Sequence, residues 1–96
     1  MLKKGRNVVI SGYNLIKICD DGDVEIWEGC HHEGGVVTSR YEHRSDEDFI
    51  ADLPRAFDSM SSYTSAVKTK EQQNRYISII KKYLNEHTRY TDDYLN

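Results

Sequence analysis

Asp20, Asp21, Gly22 and Asp23 lie between two apolar runs, and this short acidic turn constrains the chain more than any other feature. Asp favours turns by bonding nearby backbone, and Gly accepts positive φ without steric cost. The flanking segments, residues 7–19 and 24–28, are rich in Val, Ile, Leu and Tyr and read as strands. A two-residue Asp21-Gly22 turn would set Ile18 opposite Glu25, mixing apolar with acidic side chains. A three-residue loop, with Gly22 in the left-handed position of a bulge, pairs Ile18 with Val24 and Ile16 with Ile26. It also sets Lys17 opposite Glu25, an attractive cross-strand pair. The second register is therefore expected. Ile16, Ile18, Val24 and Ile26 then face the core. Leu15, Lys17, Glu25 and Trp27 face away, with Leu15 and Trp27 forming an apolar patch on the outside.

Within residues 7–19, Gly12 marks a bend or bulge in one long strand. Residues 30–35 read as a loop, and residues 36–43 as a third strand in meander order. The second half is helical. Ser45 resembles an N-cap, followed by Asp46, Glu47 and Asp48 in a first turn that suits the helix dipole. Phe49, Ile50, Leu53, Phe57 and Met60 recur at helical spacing. Pro54 falls inside that stripe without shifting its phase, which implies one kinked helix or two collinear pieces. The helix should end within the serine-rich residues 59–66.

Thr69, Lys70, Glu71 and Gln72 have the form of a capping box. A long amphipathic helix from about residue 70 to about residue 94 should follow, with Tyr76, Ile80, Tyr83, His87, Tyr90 and Tyr94 on one stripe. The expected fold is α+β, a three-stranded antiparallel β-meander followed by two helices packed on one face, β-β-β-α-α. A chain of 96 residues makes this one domain, residues 1–96. Its core should comprise Val8, Ile10, Ile16, Ile18, Val24, Ile26, Phe49, Leu53, Phe57, Ile77, Ile80 and Leu84.

No run reaches the apolar length that spans a bilayer. The basic start is followed by an apolar stretch broken by Ser11, Gly12 and Asn14, which does not read as a secretory signal. A cytoplasmic setting is expected, with Cys19 and Cys30 as free thiols.

Charge is strongly segregated. Residues 20–58 hold twelve acids against three arginines, a net charge of −9, while residues 1–19 carry +4 and residues 59–96 carry +2. Such a field repels nucleic acid on one side and attracts basic partners there. Asp20, Asp21 and Asp23 have a turn role, and Asp46, Glu47 and Asp48 have a helix-terminus role. Glu25, Glu28, Glu33, Glu42, Asp52 and Asp58 have no such local role.

Motifs of chemistry are sparse. Cys30, His31 and His32, with Glu33 and His43, carry the metal-ligating side chains. Zinc usually takes two separated ligand pairs, and no second pair follows. No metal and no cofactor are expected. A reactive Cys30 thiolate would need an electropositive setting, whereas these surroundings are acidic. Arg75, Lys82 and Arg89 recur at seven-residue spacing, as for phosphates. Lys82 with Glu86, and Arg89 with Asp93, are four apart and suit pairing along the helix. Tyr90 and Tyr94 suit an interface, since tyrosine combines an apolar body with a polar tip.

These features imply a non-enzymatic protein–protein interaction protein, an inhibitor or adaptor that binds a basic, nucleic-acid-handling partner through an acidic surface. The partner-binding residues expected are Glu25, Trp27, Glu28, Glu33, Glu42, Asp52, Asp58, Tyr90 and Tyr94. In outline alone, the element order with its acidic middle is similar to small phage-encoded inhibitors of host defence enzymes, which implies a viral or mobile-element role. The alternative is a nucleic-acid-binding module that uses Lys3, Lys4 and Arg6 with the last helix. A homodimer through that helix is a further option.

Overall fold

The structure, a computed structural model, describes residues 3–10, 14–28 and 35–86. Strands β1 (Gly5–Val9), β2 (Leu15–Cys19), β3 (Val24–Trp27) and β4 (Val36–Ser39) form one sheet in the order β3-β2-β1-β4. Helices α1 (Asp46–Met60) and α2 (Lys70–Glu86) follow. The class is α+β, as the sequence implies.

The β2–β3 hairpin has the expected register. Leu15 pairs with Trp27, Ile16 with Ile26, Lys17 with Glu25 and Ile18 with Val24. Gly22 adopts φ 93°, and its N–H donates to the Cys19 carbonyl at 2.9 Å. Asp21 Oδ1 accepts from the Asp23 N–H at 3.0 Å, the local turn bond that favours Asp there. The turn is also tied to α2, because the Gly22 carbonyl accepts from Arg75 Nη1 at 3.1 Å and from the Tyr76 hydroxyl at 3.3 Å.

The sheet itself corrects the three-stranded meander. Residues 7–19 are not one bent strand but contribute to two, β1 and β2, paired antiparallel with Val8 opposite Ile16. Each half has enough apolar residues to fill its own strand, and folding back buries Val8, Ile16 and Ile18 side by side. The segment expected to complete the meander forms β4, which pairs parallel with β1 rather than antiparallel with β3. It is also shorter than expected. The chain leaves the sheet after Ser39 for a 3₁₀ turn over Arg40–Glu42, where the Ser39 side chain accepts from the Tyr41 N–H.

Both helices start where the side chains dictate. Ser45 Oγ accepts from the Asp48 N–H at 3.1 Å. Thr69 and Gln72 complete the reciprocal box, with Thr69 N–H donating to Gln72 Oε1 at 2.9 Å and Gln72 N–H donating to Thr69 Oγ1 at 3.1 Å. Helix α1 runs through Pro54 as a single element. The part of the last helix expected beyond residue 86 lies outside the described residues.

One core cluster joins the two layers. Val8, Ile10, Ile16 and Ile18 of the sheet side meet Phe49, Leu53, Phe57 and Met60 of α1 and Tyr76, Ile80, Tyr83 and Leu84 of α2. Val24 and Ile77 are only partly buried. Ile26 departs furthest from expectation. Its partner Ile16 is 1% exposed, but Ile26 itself is 52% exposed. The outer face departs in the opposite sense. Leu15, expected in an exposed patch, is 3% exposed, and Trp27 is half-buried with the Lys17 ammonium 5.8 Å from its ring centroid. The exposed apolar side chain of this hairpin is therefore Ile26.

Candidate functional site

Strand β3 pairs with β2 alone among the described residues, so its other side is an open edge. The Cys19 N–H donates to the Asp23 carbonyl at 2.9 Å, and antiparallel pairs alternate between bonded and non-bonded. Lys17–Glu25 is then a bonded pair, and Val24 and Ile26 direct their N–H and C=O groups away from the sheet. The same edge carries charge. Glu25 lies 3.7 Å from Lys17, an ion pair beyond hydrogen-bond distance. Glu28, which follows β3, is exposed and accepts from the Tyr83 hydroxyl at 2.8 Å. One aliphatic side chain, the outward N–H and C=O groups of two residues and two carboxylates thus share one edge.

The other expected site residues are elsewhere. Asp52, on α1, accepts from Arg55 Nε at 2.5 Å and from Arg55 Nη2 at 2.6 Å, and lies 3.0 Å from His43 Nε2. The Arg55 guanidinium first, and the His43 ring second, hold the Asp52 carboxyl well below the usual carboxylate range. Glu42 is exposed, in the turn that follows β4. Asp58 accepts from Gln73 Nε2 at 2.8 Å, linking α1 to α2. Strands β3 and β4 are at opposite edges, three strand spacings or roughly 14 Å apart. The continuous acidic stretch of the sequence is therefore divided. Glu25, Trp27 and Glu28 belong to one edge, and Glu42 follows the other. Glu33, Tyr90 and Tyr94 lie outside the described residues.

Several charges neutralise one another. Lys3 lies on both Asp21, at 3.0 Å, and Asp23. Contact with Asp23 first and Asp21 second pushes its ammonium above the usual lysine range. The Asp21 carboxyl is lowered by the Asp23 N–H first and by Lys3 second. Among the basic residues of the alternative reading, Arg75 is engaged by Gly22, Lys82 is exposed, and Arg89 lies outside the described residues.

His43 is the one member of the candidate ligand set within the described residues. Its Nδ1 faces the Ser39 carbonyl at 3.0 Å and its Nε2 faces Asp52, with the Phe49 ring 5.4 Å away. Both ring nitrogens are thus occupied by acceptors. Among the described residues no group of His, Cys, Asp and Glu is placed to hold a metal ion. Cys19 is a buried free thiol, pushed upward by burial and then by the Glu25 charge, which opposes thiolate formation. No helix of the described residues is long and apolar enough to cross a membrane.

A second surface was not legible in the sequence. Arg6, Val36, Val37, Ser59, Met60 and Tyr63 line an open cleft of about 360 Å³ beside β4. The Arg6 guanidinium carbon lies 5.2 Å from the Tyr63 ring centroid. Arg6 and Tyr63 are far apart in sequence, and no spacing pattern links them.

No family model, no curated protein and no solved structure matches this chain.

Proposed function

We propose that this chain is a non-enzymatic interaction protein, of the inhibitor or adaptor kind, that binds a basic partner protein through the β3 edge. The observation that carries the reading is Ile26, 52% exposed on an edge strand, preceded by Glu25 on the opposite face and followed by exposed Glu28. Exposed edges invite pairing with another chain, and natural proteins usually blunt them with charge. On β3 itself the charge is acidic, with Lys17 of β2 against Glu25, and the exposed Glu28 favours basic partners. Half-buried Trp27 adds a rigid aromatic body next to the same edge.

Nucleic acid is a less supported partner, because Lys3 of the basic arm is paired with Asp21 and Asp23. The test is affinity purification from the native host at two salt concentrations, with wild type, Glu25→Lys and Ile26→Lys. A protein retained by wild type, released by salt and lost by both variants supports the reading. Retention of nucleic acid instead, removed by nuclease and unaffected by either variant, overturns it.

A further inference from the structure

We propose that the cleft beside β4 docks an extended segment of another protein in which an acidic side chain lies next to an aliphatic one. The site is at the edge of the sheet opposite β3 and does not rest on the reading above.

Three observations converge. First, Arg6 is stacked on Tyr63 and has no carboxylate partner among the described residues. A guanidinium held by its face keeps its in-plane donors available, and that planar fork matches a carboxylate through two parallel hydrogen bonds. Second, the cleft around that cation offers apolar groups beside polar ones. Val36 is 41% exposed and Tyr63 73% exposed, and Val37 and Met60 line the same cleft. An aliphatic side chain gains by covering these groups.

Third, among the described residues β4 has no strand partner on the side away from β1. The Asn7 N–H donates to the Gly35 carbonyl at 2.8 Å, and Asn7 stands opposite Val36 in the parallel ladder. In such a ladder Asn7 bonds the residues on either side of Val36, so the N–H and C=O of Val36 point away from β1. An added strand can bond there while its side chains reach the cleft on one side. The cation decides the sign of the occupant. An acidic segment pairs with Arg6, whereas a basic one meets like charge at close range.

The test is a titration of the isotope-labelled full chain, followed through its backbone amide resonances. The probes are two acetylated pentapeptides, one alternating valine with glutamate and one alternating valine with lysine. The acidic peptide should shift the amides of Val36–Ser39 and of Tyr63, and the basic peptide should not. Arg6→Gln should weaken the acidic peptide at least tenfold, and Arg6→Lys by less, since charge remains but the fork is lost. Tyr63→Leu should weaken it severalfold by removing the ring that supports Arg6. Unchanged amide resonances in α2 would verify that each variant is folded. Equal response to both peptides, no response at millimolar peptide, or full affinity in Arg6→Gln would overturn the proposal. So would shifts of the same amides on concentrating the protein alone, which would assign the cleft to a second copy of this chain.

Discussion

Arg40 grips Asp46 through two hydrogen bonds, Nε to Oδ1 at 2.8 Å and Nη2 to Oδ2 at 2.7 Å, while the arginine side chain is 1% exposed. Arg40 follows β4 and Asp46 opens α1, so this fork joins the end of the sheet to the start of the helix. The helix N-terminus favours the carboxylate at the same time.

The two halves of that pair should not cost the same. Asp46→Ala removes a counter-charge from a buried guanidinium and should destabilise by about 3 kcal/mol. Arg40→Met leaves behind Asp46, whose side chain is 37% exposed and can turn to water, so its loss should be smaller. Urea unfolding of the two variants gives the comparison, and equal losses would argue against this account.

Gly22 should be sensitive through its backbone rather than through packing. Among the described residues a Cβ there would meet only the Tyr76 hydroxyl, at 3.9 Å, but φ is 93°. Gly22→Val should cost about 1 kcal/mol or more, and Gly22→Asn less, since Asn tolerates positive φ better. Thermal denaturation of both variants would show the order.

Gly5 should be sensitive for the opposite reason. A Cβ there would overlap the Ile18 carbonyl oxygen and stand 2.8 Å from Cys19 Cα, so Gly5→Ala must part β1 from β2. A loss of about 2 kcal/mol is expected, on the scale of overpacked cores. Hydrogen exchange should rise first in the β1–β2 ladder, and protection equal to wild type would contradict the close approach.

Acid should weaken the fold through Asp52. Its folded-state pKa is depressed, by Arg55 first and His43 second, relative to an unfolded value near about 4. The stabilisation is therefore present above that value and is lost as pH falls through the folded pKa. Asp52→Asn should flatten the decline in stability between about pH 5 and about pH 2. Urea midpoints measured across that range test it, and an undiminished decline in the variant would assign the acid sensitivity elsewhere.

Ile26→Lys should leave stability within about 0.5 kcal/mol of wild type, because the side chain is already 52% exposed. It should also raise solubility by charging an open edge. A large fall in melting temperature would show that Ile26 is packed.

The sequence by itself determined the local devices of this protein. The β2–β3 register follows from matching Ile18 with Val24 across a turn that Gly22 permits. The caps at Ser45 and Thr69 follow from side-chain oxygens set three residues before the N–H groups that they accept from. Each is written within a few residues, where hydrogen bonding and φ restrictions act directly. Of the candidate site, the acidic β3 residues were legible, whereas Ile26 was assigned to the core. Periodicity tells which face a side chain takes, not whether anything covers that face. Only the tertiary structure decided that β4 lies parallel beside β1, that Leu15 is buried and Ile26 exposed, and that Arg6 meets Tyr63. Those outcomes depend on contacts between distant segments, set by how two helices cover four strands, and a one-dimensional pattern of apolar residues is compatible with several such arrangements.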